Sequence, residues 1–149
     1  MIKIIKHILL ILWCLLIFFF SNENGEVSAG RSKLVTNNTI TAYEKVFDKE
    51  VKNRKKVHDN LEVVIRKTTH FGLYFILGVL TFLCLKEYNL DLRKQIIYSV
   101  IFCFLYAVSD EVHQIFTSDR GPRALDVLID TLGSTTSIMI ISLIMKRHI

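Results

Sequence analysis

Four apolar runs, each close to the length that crosses a bilayer, constrain this 149-residue chain more than any other feature. They lie at about 4–20, 67–85, 95–116 and 124–145, with charged segments between them. A hydrocarbon core about 30 Å thick takes roughly 20 residues of helix. Inside it every backbone N–H and C=O must be bonded within the chain, so each run has to be helical. The single proline and six glycines agree with that, and the apolar residues are gathered into the runs instead of following the amphipathic period of a soluble core. The expected fold is an all-α membrane protein. Four transmembrane helices form an antiparallel bundle, as a single membrane domain over 1–149.

In such a fold the net charge of +5 concerns orientation and anionic lipid. No Lys/Arg face interleaved with exposed aromatics occurs, which argues against nucleic acid as a partner and leaves the lipid bilayer. Cys14, Cys84 and Cys103 all fall inside the spans without CxxC spacing. They read as free cysteines in apolar helices, and no disulfide, metal site or cofactor is expected.

The first run starts with Lys3, Lys6 and His7, as a signal peptide would. No small-x-small cleavage site follows it, so it reads as a retained span. Residues 21–42 are rich in Gly, Ser, Asn and Thr and read as loop. Thr41 and Glu44 then fit a capping box. Beyond them Tyr43, Val46, Phe47, Val51, Val57, Leu61 and Val64 recur every three or four positions among lysines. That spacing predicts an amphipathic helix over 43–65 in a long first extracytoplasmic loop, either on the membrane surface or packed on the outer loops.

Lys3 and Lys6, the loop residues Lys86, Arg93 and Lys94, and Lys146 with Arg147 share one side of a four-span topology. By the positive-inside rule that side is cytoplasmic, with both termini on it. The ten Lys/Arg between Arg31 and Lys67 pull the other way, but the first set directly flanks the first and last spans. The expected location is a plasma membrane, crossed four times.

The least economical feature is polar. Asp110, Glu111, His113 and Gln114 close the third span, Arg66 and His70 open the second, and Asp126 and Asp130 open the fourth after Arg120 and Arg123. Antiparallel neighbours bring those three helix ends to one membrane face. An ionisable group at a span's centre costs about 2.5–3.5 kcal/mol on insertion scales, so unpaired charges there are expensive. Two readings stay open. In one, the groups form an internal network that sets helix register. In the other, they line a headgroup-level pocket. There Arg66, His70, Asp110, Glu111, His113, Gln114, Arg120, Arg123, Asp126 and Asp130 are the ligand-binding candidates, the arginines suiting phosphate or carboxylate. His70, His113 and Glu111 are the candidates for acid–base chemistry. Ser109 and Ser118 are nucleophile candidates by adjacency alone. Within span three, Asp110, His113 and Gln114 share a face, with Glu111 about a hundred degrees away. Gly133 and Ser137 continue the Asp126–Asp130 stripe and would admit a close helix neighbour.

These residues resemble the VanZ-like family of small bacterial membrane proteins. The resemblance runs through Arg66-Lys-Thr-Thr-His70-Phe-Gly-Leu-Tyr74, then Ser109-Asp110-Glu111-Val-His113-Gln114-Ile-Phe116, then Arg120 and Asp126-Val-Leu-Ile-Asp130-Thr-Leu-Gly133. Many members carry Asn where this chain has Asp130. The family is named for a protein giving low-level resistance to the glycopeptide teicoplanin. The resemblance therefore implies action at the cell envelope, on a lipid-linked or peptidoglycan-related headgroup or on the glycopeptide itself. A membrane enzyme acting on a polar headgroup and a structural accessory subunit are the alternatives. Four spans without repeats leave little machinery for a transporter.

Overall fold

The computed structural model describes the backbone of residues 2–22, 25–117 and 124–146. The described chain is five helices: α1 (Ile2–Ser21), α2 (Gly25–Phe47), α3 (Arg54–Leu85), α4 (Leu92–Thr117) and α5 (Ala124–Lys146). Four of them, α1, α3, α4 and α5, are long and apolar enough to cross a membrane. The chain is an all-α, multi-pass membrane protein.

Contacts along the helices give their directions. On α3 and α5, Arg66 meets Asp126, His70 meets Asp130, and Gly78 meets Ser134 and Ser137, so these two helices run parallel. Helix α4 runs against α3, since Tyr74 faces Tyr106 while Thr81 faces Cys103. Helix α1 also runs against α3, with Trp13 on Leu73 and Lys6 on Glu87.

In lipid, apolar tails are as good a solvent for Leu as another helix, so close packing and interhelical hydrogen bonds must hold spans together. The α3–α5 seam uses small residues for this. A Cβ on Gly78 would sit 2.6 Å from the Ser134 carbonyl oxygen, and one on Gly133 would sit 2.5 Å from that of Phe71. The serines on the seam satisfy their hydroxyls within α5: Ser137 donates to the Ser134 carbonyl at 2.8 Å and Ser134 to the Thr131 carbonyl at 3.0 Å. Helix α1 buries only Ile17 and is held mainly by hydrogen bonds. Trp13 Nε1 donates to the Leu73 carbonyl at 2.9 Å, and the Tyr106 hydroxyl donates to the Cys14 carbonyl at 2.6 Å. The large outward side chains, such as Leu12, Leu15, Ile101, Leu105, Leu128 and Leu132, are exposed on the protein and suit lipid.

Two expectations for the segment between the first two spans are corrected. Residues 21–42 are not loop, because α2 begins at Gly25. Their helix is stabilised by packing, with Thr36 and Ile40 buried and α2 laid against α3, a tertiary gain that local composition does not register. The continuous amphipathic helix over 43–65 is also absent. The chain breaks between α2 and α3, where Asp48 (φ 48°) and Asn53 (φ 55°) take the left-handed conformation that Asp and Asn tolerate best among non-glycine residues. Glu44 does not close a capping box with Thr41, which lies inside α2. Its carboxylate spans the turn, accepting from Val51 N–H at 3.3 Å and pairing with Arg54 at 3.2 Å.

Helix α3 has 32 residues, about 48 Å at 1.5 Å per residue, well beyond a ~30 Å hydrocarbon core. Its first turns therefore project past the bilayer, and α2 packs along them. The resulting hairpin stands over the end of the bundle where the polar residues gather.

Candidate functional site

At that end a cavity of about 310 Å³ lies between the last turns of α1, the start of α2, the middle of α3 and the end of α4. Its apolar wall is Ile17, Phe20, Val35, Ile65 and Leu73. Its polar wall comes from every surrounding helix: Ser21 from α1, Arg31 and Ser32 from α2, Arg66, Thr69 and His70 from α3, and Asp110 and Gln114 from α4. Tyr74 closes the floor, fully buried.

The helical period explains why α3 supplies so much. Arg66, His70 and Tyr74 stand four residues apart and so fall on one stripe. On the neighbouring stripe α3 meets α5. There Arg66 Nη2 lies 3.9 Å from Asp126 Oδ2, and His70 Nδ1 lies 3.5 Å from Asp130 Oδ1. Asp126 and Asp130 are buried and serve the cavity from behind, by holding Arg66 and His70. On α4, Gln114 Nε2 donates to Ser21 Oγ at 3.0 Å and reaches Asp110 Oδ2 at 3.4 Å. Asp110 also hydrogen-bonds Ser21. Two of the lining residues each carry a buried polar atom without a hydrogen-bond partner among the described residues, the Tyr74 hydroxyl and Asp110 Oδ1.

Of the residues singled out from sequence, Arg66, His70, Asp110 and Gln114 line the cavity, while Asp126 and Asp130 back it. Glu111 is buried as an electrostatic neighbour of Asp110 and is not on the cavity wall. His113 is turned toward α1, its ring 4.5 Å from that of Phe18. The shared face of Asp110, His113 and Gln114 thus splits between the cavity and the α1 contact. Ser109 is exposed and gives its hydroxyl to the Tyr106 carbonyl at 2.8 Å, away from the cavity. Arg120, Arg123 and Ser118 lie outside the described residues. Sequence reasoning missed Ser21, Thr69, Arg31 and Ser32. The last two were hidden by reading their helix as loop, and no pattern in the sequence ties that helix to the bundle. Among the described residues no group of three or more His, Cys, Asp or Glu is placed to hold a metal ion.

The class that fold and site define is a small multi-pass helical membrane protein with an amphiphilic cavity at one membrane face. Within that class the chain belongs to the VanZ/LLP1 family, whose model matches residues 7–145. That match takes in α1 from His7 onward, the α2–α3 hairpin, α4 and α5 as far as Met145. No curated protein and no solved structure matches the chain.

Proposed function

We propose that this protein works in the bacterial cell envelope by binding a lipid or peptidoglycan-related headgroup in the cavity, which faces outward, and thereby contributes to glycopeptide (teicoplanin) tolerance. The observation that carries the proposal is the composition of the cavity wall. One side is apolar, as an acyl chain requires. The other holds Arg66, His70, Asp110 and Gln114, as a headgroup requires. Sidedness is supported by the Lys6–Glu87 pair, which brings the basic N-terminus to the α3–α4 turn with Lys86, Arg93 and Lys94. Their shared end would be cytoplasmic, with Lys146 at the same level, and the cavity would open opposite.

The test is expression in a teicoplanin-susceptible bacterium. Arg66→Ala, Asp110→Asn and Asp126→Ala should abolish any rise in tolerance while membrane abundance stays constant. An undiminished phenotype in all three rejects the reading.

A second reading is favoured by one contact. His70 lines the cavity with Nδ1 3.5 Å from buried Asp130 Oδ1, a spacing from which a small closure would let the carboxylate orient the imidazole for general acid–base work. Turnover of a labelled envelope lipid by purified protein, lost on His70→Gln, would establish an enzyme. The absence of turnover across a broad lipid panel would leave the binding role.

A further inference from the structure

We infer that the cavity selects a phospholipid headgroup carrying a primary ammonium beyond its phosphate, a phosphoethanolamine-type zwitterion. The inference rests on the headgroup reading above and narrows it to a chemical class.

The floor of the cavity is short of hydrogen-bond donors. Asp110 is 6% exposed, its Oδ2 is engaged by Gln114, and its Oδ1 has no hydrogen-bond partner among the described residues. The Tyr74 hydroxyl, on a side chain with no exposed surface, is in the same position. Leaving such atoms unmatched is costly at this depth, and the two residues that carry them line one cavity, with both atoms just beneath its surface. A carboxylate oxygen can only accept, and a phenol oxygen can accept as well as donate. The complementary ligand group therefore offers several N–H or O–H donors and favours positive charge. A primary ammonium meets both demands.

The rest of the wall suits the phosphate. Arg31 and Arg66 face the cavity from α2 and α3, and the Arg31 guanidinium sits 5.6 Å from the centroid of the Phe20 ring. Guanidinium is the side chain best shaped for phosphate oxygens. Arg66 is paired with Asp126 only loosely, at 3.9 Å, which leaves room for a phosphate oxygen to share it. Acid below and arginines on the side walls thus match a zwitterion in one orientation, with its glycerol and first acyl carbons against Leu73, Ile65 and Phe20. Size agrees, since a cavity of about 310 Å³ takes a headgroup and not a glycopeptide several times larger. Any glycopeptide phenotype would then follow from control of lipid at the membrane surface.

The test uses the full-length protein in nanodiscs, with lipid occupancy read by native mass spectrometry. Competing lipids share acyl chains and carry phosphoethanolamine, phosphocholine or phosphoglycerol heads. Phosphocholine has the same net charge but no N–H, so the ethanolamine lipid should be preferred about tenfold, the scale of one charge-assisted hydrogen bond. Asp110→Asn should remove most of that preference. Tyr74→Phe, which deletes an atom with no hydrogen-bond partner among the described residues and so spares the fold, should reduce it several-fold. Equal occupancy by choline and ethanolamine lipids, or preference for phosphoglycerol, overturns this inference and leaves the headgroup reading standing. If no lipid is retained by the wild-type protein, both are overturned.

Discussion

Substituting Gly133 by alanine adds one methyl group where the α3–α5 seam brings backbone against backbone. Its Cβ would meet the Phe71 carbonyl oxygen at 2.5 Å and the Phe71 Cα at 3.2 Å. Backbone cannot swing aside as a side chain can. Ordinary C···O contact is about 3.3 Å, so the helices must part locally by roughly 0.8 Å. Overpacking of this kind costs about 1–3 kcal/mol, from which alanine's better helix propensity returns about 1 kcal/mol. The control lies on α3. Gly72 has nothing within 4 Å of its would-be Cβ, so Gly72→Ala collects the propensity gain alone. The two variants should therefore differ by about 1–3 kcal/mol in reversible unfolding of purified protein in mixed micelles. The same displacement lies one turn from His70–Asp130, a pair only 3.5 Å apart, so Gly133→Ala should also weaken whatever the cavity does. Equal stability of Gly133→Ala and Gly72→Ala would refute the claim that backbone proximity holds this seam.

Four further outcomes are expected. Tyr74→Phe should leave the ligand-free protein unchanged or up to about 1 kcal/mol more stable, because it removes a buried hydroxyl with no partner among the described residues; thermal unfolding in lipid-free detergent checks this. Trp13→Phe should destabilise the α1 attachment by about 0.6–1 kcal/mol through loss of the bond to the Leu73 carbonyl, seen as faster proteolysis at the α1–α2 junction. Asn53→Val should cost about 1–2 kcal/mol because a β-branched side chain resists the left-handed backbone there, whereas Asn53→Gly should be nearly neutral in the same unfolding assay. At the opposite end, the hydrogen bond from Lys6 holds the Glu87 carboxyl below the usual carboxylate range. A depressed folded-state value means that the contribution is present above the ordinary carboxylate pKa and fades as pH falls through the folded one, so Glu87→Gln should flatten the acid limb of the stability profile.

The four spans and the class of fold are legible in the sequence because the bilayer reads composition one segment at a time. A run of roughly 20 apolar residues must form a helix wherever its neighbours lie. The gathering of Arg66, His70, Asp110, Gln114, Asp126 and Asp130 at one end follows from the same topology, since it needs only the alternation of direction. What needed the tertiary structure was every choice made between helices. Glu111 and His113 fall beside the cavity and not on its wall, because the rotation of α4 is set by its packing against α1, α3 and α5. Helix α2 forms because α3 projects far enough to receive it, and so brings Arg31 and Ser32 to the cavity from a stretch whose own residues favour loop. The left-handed turn at Asp48 and Asn53 is likewise a matter of where two helices must meet. Periodicity determines which residues share a stripe, and only packing between stripes determines what each stripe faces.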